Sequence, residues 1–326
     1  MDAISPLLGS VRSSASIALS PSRGRPSPRS PRYRVPELLR PVEVLNLLEI
    51  TGSQRVTSQS LGLHQSSVSR TVQALRQQLQ LVPGSCDGLR YGDAPSLGHL
   101  RQAVQAHRIS GGWLRLAADP LHQILVRPGP GLLPGPSDWL GLERLVALVS
   151  HAVLDGGLVS SLAWESASDP AINSPPEVAG LAWACLAELP LRLVAPALTA
   201  RTVLVPPASV APGLHAELHR RGLGLQVWSA SGLTARAWLR RARTQGFALP
   251  LCPALLPPGW LVRHGWRLLP DQDPLPQRLW LLHGADLPLA LQRRCHRRLG
   301  RRCAALIRSR PSPQPGAIDG SSAPIR

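Results

Sequence analysis

Apolar positions fall into two textures along the chain. Between Pro41 and Gln80 they recur at helical spacing, with Val44, Leu45, Leu47 and Leu48 of VEVLNLLEI available for packing. A helix taken from Gln65 to Gln80 places Val68, Val72, Leu75 and Leu79 at i, i+4, i+7 and i+11, a single buried stripe, and turns Ser66, Arg70, Gln73 and Gln77 the opposite way. The intervening VTSQSLGL reads as a short helix closed by Gly62, so two helices meet at a tight glycine turn, the arrangement of a helix-turn-helix. A breaker-rich stretch, VPGSCDGLRYGDAPS, comes next. In the run SLGHLRQAVQAHRI after it, Leu97, Leu100, Val104 and His107 alternate spacings of three and four and define one helix face, stopped by Gly111 and Gly112.

From Trp113 short apolar runs alternate with helical patterns, which predicts a parallel α/β sheet. The expected strands are WLRLAA, LRLVAP, RTVLVPP, LGLQVWS, FALPLC and RLWLL; the expected helices are LERLVALVSHAVL, GLHAELHRR, LTARAWLRRAR and LQRRCHRRLGRRCAALI. The segments GPGLLPGPSDW and SASDPAINSPPE are Pro- and Gly-punctuated loops. The resulting organisation is a disordered Arg/Ser/Pro-rich tail over 1–40, an all-helical helix-turn-helix unit over 41–92, a linker helix over 93–112, an α/β domain over 113–309 and a second disordered tail over 310–326.

Composition changes this picture little. A chain of 326 residues with 44% hydrophobic content holds two ordinary domains. The net charge of +17 suits a polyanionic partner, but all the basic residues are Arg and Lys is absent, a slant of coding composition that robs basicity of weight on its own. The five cysteines are scattered without metal-ligand spacing and read as reduced cytosolic thiols, so no metal or cofactor is expected and the expected location is cytoplasmic. No apolar run reaches the roughly 18 residues of a membrane span. The basic, acid-poor N-terminal tail has the composition of a transit peptide, yet reads as a disordered leader or a start codon placed too far upstream. An enzyme is not expected, for want of a Walker loop, a GxGxxG after a strand, an HExxH or a GxSxG elbow.

The chemistry lies on the polar side of the third helix. Gln and Arg make paired hydrogen bonds to base edges, while Ser hydroxyls and the amides of a helix start suit phosphate oxygens. Geometry alone leaves a solvated Gln/Ser/Arg face equally open.

Gly52-Ser53, Leu61, Gln65, Val68-Ser69-Arg70, Val72 and Leu75 occur without a gap, and residues 45–81 thereby resemble the N-terminal winged helix-turn-helix of the LysR-type transcriptional regulators. The resemblance implies groove-facing roles for Gln65, Ser66, Ser69 and Arg70, with Gln73 beside them and Arg90 as the wing cation. The chain departs from the pattern at Thr57-Ser58 (Ala-Ala in the family), at His64 (Ser at the cap), at Arg76 (acidic) and in the wing, which is reduced to Val82-Pro83-Gly84 and SCDGLRY. Further on, WLRLAA, VLDGGLVSSLAW, LPLRLVAPAL, TQGFALPLCP and RLLPDQDPLPQRLWLL resemble segments of the family's effector-binding domain.

That resemblance implies a periplasmic-binding-protein-like fold of two α/β subdomains about a ligand cleft, the second subdomain spanning about 199–265. Asp119, Ser229, Ser231 and Cys252 follow expected strands and are the candidate effector-binding residues. The expected function is sequence-specific regulation of transcription, with double-stranded DNA, a small-molecule effector and further copies of the chain (a dimer or tetramer) as partners. A degenerate relative with weak or non-specific DNA binding is the alternative, and an α/β enzyme is a further one. The run RRCHRRLGRRC predicts a helix burying Leu291, Leu299 and Leu306 under an Arg-rich face, which is either a phosphate contact or a solvated surface.

Overall fold

Helix α1 (Arg40–Thr51) buries every side chain from Val42 to Ile50, so it has no solvent face along its middle. The computed structural model describes residues 33–84, 88–92, 94–133, 135, 139–164, 174–228, 235–270 and 272–308. Gly52, at φ 62°, ends α1 in the left-handed conformation, and its N–H bonds Leu48 O. Helix α2 (Gln54–Leu61) starts at Ser53, whose hydroxyl accepts the Val56 N–H, and ends at Gly62. Helix α3 (Gln65–Gln78) follows after two residues and α4 (Pro95–Ser110) after the wing segment. Val42, Val44, Leu45 and Leu48 of α1 pack on Val68, Val72 and Leu75 of α3 and on Leu97 and Val104 of α4.

The remaining strands and helices are β1 (Leu114–Ala117), β2 (Leu132–Leu133), α5 (Leu142–Ser150), β3 (Gly156–Ser160), β4 (Leu181–Glu188), β5 (Arg192–Ala195), β6 (Thr202–Val205), α6 (Pro212–Arg220), β7 (Gly224–Val227), α7 (Ala235–Gln245), β8 (Leu249–Leu251), α8 (Trp260–Arg263), β9 (Arg267–Leu268), β10 (Arg278–Gly284) and α9 (Leu289–Arg308). The first sheet has the order β2-β1-β3-β10-β4. In the second, β5 lies between β8 and β9, and a parallel bridge from Val203 to Ala248 joins β8 to the β6–β7 pair.

Neither sheet is purely parallel, contrary to the expectation from the alternating pattern. Strand β1 runs parallel to β2 and β3, but β10 is antiparallel to β3 and β4, and β5 is antiparallel to β8 and β9. The cause is a double crossover. The chain leaves the first sheet at Leu189 and returns at Gln277, where the Leu189 N–H bonds Gln277 O and Leu191 pairs with Leu275. The returning strand therefore enters the first sheet in the opposite sense. Because β5 pairs with β8 and β9, the second sheet runs from Arg192 to Leu268, beyond the expected 199–265. Strand β4 carries no alternation legible in LAWACLAE, since it is a half-exposed edge strand.

Alternate residues of the first sheet face different layers. Leu114, Leu116, Leu158, Leu279 and Leu281 pack with Leu291, Cys295, Leu299 and Cys303 of α9. Ala117, Val159 and Leu282 face α5 through Leu145 and Leu148, and this second cluster also takes in Leu47 and Ile50 of α1. Helix α1 is thus shared between the core of the helical head and that of the α/β body.

Helix α4 is rotated from the face its spacing suggests. Its buried stripe is Leu97, Arg101, Val104 and Arg108, while Leu100 and His107 are only half-buried. The two arginines, both fully buried, meet the polar side of α1. Arg108 grips Asp155 with two hydrogen bonds, Nε to Oδ2 at 3.1 Å and Nη2 to Oδ1 at 3.0 Å, and faces Glu43 at 3.7 Å. Arg115 of β1 closes that cluster through a short ion pair to Glu43, and its N–H donates to Asp155 Oδ2 at 2.6 Å. Arg101 donates to Asn46 Oδ1 at 3.1 Å and faces Glu49 at 3.5 Å; Arg144 of α5 donates to the Glu49 carbonyl at 2.6 Å. Apart from Arg144, whose side chain is 26% exposed, these charges have left water, and each is held by a partner from another element.

Burial opposes ionisation of Glu43, but Arg115 and then Arg108 outweigh it and hold its carboxyl below the ordinary value of 4.5. As pH falls the unfolded chain takes up this proton first. The stability contributed by the pair is complete above 4.5 and is lost below it, as pH falls through the folded-state value. Glu43→Gln, which strips Arg115 of its carboxylate, should lower stability by about 3–5 kcal/mol near neutrality. Thermal denaturation at a series of pH values should also show a shallower acid decline in the variant; superimposable acid limbs would contradict the assignment.

Candidate nucleic-acid interface and inter-sheet cleft

The underside of α3 is held by Val68, Val72 and Leu75. Its outer side presents Gln65, Ser66, Arg70 and Gln73, all exposed, with Ser69 half-buried beside them. Arg70 lies back along the helix, its Nε donating to Ser66 O at 3.3 Å, and its terminal nitrogens make no hydrogen bond among the described residues. His64 occupies the N-cap with extended backbone and gives no side-chain cap; its carbonyl takes the Ser67 and Val68 N–H groups, which leaves the amides of Gln65 and Ser66 without a partner among the described residues. Five of the six expected nucleic-acid contacts thus share one helix face.

Thr57 and Ser58 do not weaken the layer beneath. Both are buried, but the Thr57 hydroxyl donates to Ser53 O at 2.9 Å and pairs with Thr51 Oγ1 at 2.8 Å, and Ser58 Oγ donates to Arg55 O at 2.8 Å. With partners made, the penalty for burying a bare hydroxyl does not arise.

The sixth residue, Arg90, stands on the return limb of the wing with an exposed side chain. The limb closes through the Gly84 N–H to Arg90 O at 3.0 Å, and buries Leu89 and Tyr91. Glu49 fixes it from below: Oε2 accepts the Arg90 N–H at 3.1 Å and Oε1 the Tyr91 N–H at 3.2 Å. The tip, 85–87, lies outside the described residues. Arg76, which stands where the resembling family is acidic, places its guanidinium over the Tyr91 ring at 5.9 Å and so ties α3 to the same limb.

Reading apolar spacing missed Glu43, Asn46, Glu49, Arg101, Arg108, Arg115, Arg144 and Asp155. The signal was present in α4, where Leu97, Arg101, Val104 and Arg108 are spaced i, i+4, i+7 and i+11, but two members of the stripe are charged. Glu43, Asn46 and Glu49 likewise form a polar row on α1 that looks solvent-facing until its partners are known.

Of the four candidate effector residues, Asp119 lines a cavity of about 50 Å³ between the two sheets. Its Oδ1 accepts the N–H groups of Leu121 and His122, and Oδ2 meets His122 Nδ1 at 2.7 Å. A carboxylate only accepts, so Nδ1 carries the proton, and His122 Nε2 accepts from Gln277 Nε2 at 2.7 Å. Gln277 Oε1 is left buried without a hydrogen-bond partner among the described residues. Both His122 and Gln277 line the cavity and were not anticipated, since a residue at the crossover is brought there only by pairing of the sheets. Cys252 does not line it. It is buried in the core that also holds Cys295 and Cys303, and burial pushes the thiols of those two up to about 11, beyond the reactive range. Ser229 and Ser231 lie outside the described residues.

Glu49→Gln should loosen the wing's return limb first. Hydrogen exchange at the Arg90 and Tyr91 amides is expected to accelerate well before that of α3, and equal protection in variant and parent would refute the anchoring role.

No protein-family model matches the sequence, and no curated protein matches it. Among solved structures the chain is similar to a cysteine-to-serine variant of OxyR from Corynebacterium glutamicum with bound hydrogen peroxide, at 16% identity over 86% of this chain and 97% of that one, with a TM-score of 0.44. It is similar to ArgP from Mycobacterium tuberculosis at 14% identity over 79% and 96%, TM-score 0.45. It is also similar to CbnR, described as a LysR family transcriptional regulator, at 13% identity over 82% and 99%, TM-score 0.44. At these identities and scores the functional reading has to rest on the residues themselves.

Proposed function

We propose that the chain is a sequence-specific, DNA-binding transcriptional regulator of the LysR type, responding to a small molecule held between its two sheets. The observation that carries this reading is α3: an outward face of Gln65, Ser66, Arg70 and Gln73 over an uncapped helix start, on an underside locked into the core. In a major groove Gln65 would pair with adenine and Arg70 with guanine, while Ser66 and the exposed amides take phosphate oxygens. Arg90, on a limb pinned by Glu49, supplies a flanking phosphate contact.

The cavity supports a particular class of effector. Its walls are mostly apolar, from Leu121, Trp139, Leu158 and Leu214 among others, and among the described residues Asp119 is its acid and no arginine lines it, in a chain otherwise rich in them. A compact neutral molecule that donates a hydrogen bond to Gln277 Oε1 fits this chemistry; a carboxylate does not. At about 50 Å³ the space is well below the roughly 150 Å³ of a cavity that takes up benzene, so binding entails separation of the sheets.

A second reading, of weak or non-specific DNA binding, draws on α4. Its apolar and charged stripe is used up within the chain, and its exposed positions Ser96, His99, Gln102, Ala103 and Ala106 offer no large apolar side chain. Pairing of two copies would need another surface, and a lone head reads only one half-site.

Selection of bound fragments from random duplex DNA at physiological salt separates the two readings. The expected result is an enriched motif that disappears in the Gln65→Ala, Arg70→Ala double variant while its circular dichroism and melting are unchanged. Enrichment of nothing beyond salt-sensitive bulk binding, identical in the double variant, would favour the degenerate reading. For the cleft, phenol is expected to raise the melting temperature and benzoate to leave it unmoved; the opposite order would overturn the effector class.

A further inference from the structure

Helix α9 carries seven arginines and no acidic residue in twenty positions, and among the described residues none of the seven forms an ion pair. They divide by row. Arg294, Arg298 and Arg302 reach back to the carbonyls of Gly112, Pro130 and Leu125, so they clamp the helix onto the loops around β1 and β2. Arg293, Arg297 and Arg301, spaced i, i+4 and i+8, are exposed and meet no carboxylate among the described residues.

The two rows form the wall of a groove of about 420 Å³ running from Arg294 to Arg302, and Arg297 continues it into a neighbouring hollow of about 480 Å³ with Arg293, His283 and His296. Like charges at these spacings repel and disfavour the isolated helix. Burial, then the neighbouring charges of Arg298 and Arg127, push the Arg302 guanidinium down from its ordinary value. The cluster is therefore held together by packing of Leu291, Cys295, Leu299 and Cys303 beneath, with no counter-charge of its own.

We infer that this face of α9 is a second DNA contact, taking the phosphates of a stretch of duplex other than the one read by α3. Three observations select this partner. The row repeats every helical turn along a helix about 30 Å long, matching a linear polyanion. The groove between the rows offers Ala305 as its apolar residue, so it lacks the aromatic or aliphatic anchors on which protein partners concentrate their binding energy. Finally, α9 covers one face of the first sheet while α5 and α1, on which α3 is built, cover the other. The two basic surfaces thus lie on opposite sides of the body, and a duplex long enough to meet both has to curve around it or supply a second segment.

The inference rests on the DNA-binding reading and is tested apart from it. The triple variant Arg293→Gln, Arg297→Gln, Arg301→Gln leaves the clamping row and α3 intact, and its melting temperature should be no lower than the parent's. Affinity is measured against salt for a duplex of about 15 base pairs containing the selected motif and for one of about 60 carrying the same motif centrally. On the short duplex the two proteins should have the same slope. On the long one the variant should lose about 2.7 units of log–log slope, which makes its loss of affinity between about 50 and about 200 mM salt about 40-fold smaller. Equal slopes on the long duplex would overturn the inference while leaving α3 as reader. A larger parent–variant difference on single-stranded RNA of the same length than on duplex would reassign the face to RNA, and absence of any duplex binding by the parent would remove the DNA-binding reading and this inference with it.

Discussion

A helix buried on all sides must satisfy its polar side chains from within the protein, and α1 sets that constraint for the whole molecule. Glu43, Asn46 and Glu49 have no access to water, so arginines from α4, β1 and α5 have to converge on them, with the carboxylate of Asp155 sharing Arg108 with Glu43. Partners of this kind are held in fixed positions, because removing one leaves an uncompensated charge in the interior. The head that presents α3 is therefore not tethered by a swinging linker. It is joined to the α/β body through shared core and paired charge.

The same junction organises the candidate interface. Glu49 reaches Arg101 and Arg144 on one side, and with both oxygens it also takes the backbone amides of the wing's return limb. A displacement of α5, which packs over the first sheet beside the cavity, is thus felt at the limb carrying Arg90 through a single carboxylate. Leu145 touches both places: it packs in the cluster containing Leu47 and Ile50 and lines the cavity with Asp119 and His122. A ligand that parts the sheets would bear on this side chain, and the physical path to α3 is short and densely packed.

Most of the secondary structure was legible along the chain, for a definite reason in each case. Helix α3 shows its stripe because Val68, Val72 and Leu75 face one core, and Gly52 and Gly62 mark helix ends by occupying left-handed conformations. Strands β5, β6 and β8 announce themselves as apolar runs because both faces are covered. Where a face is shared or half-covered the pattern fails. Strand β4 looked like nothing in particular, and the sense of β10 depends on a double crossover that no local sequence encodes.

By itself the sequence determined where α3 lies, which residues it turns outward, and that α9 would bury an apolar stripe under arginines. Periodicity is a local property, and a helix over a single core obeys it. Only the tertiary structure decided that the buried stripe of α4 includes Arg101 and Arg108, that Cys252 belongs to a core and that His122 meets Gln277 across the cleft. Each of these turns on a partner far away in the chain, from Asn46 and Asp155 to Gln277. Whether a polar residue is solvated or buried and paired is settled by that partner, which the residue's own neighbours in sequence do not specify.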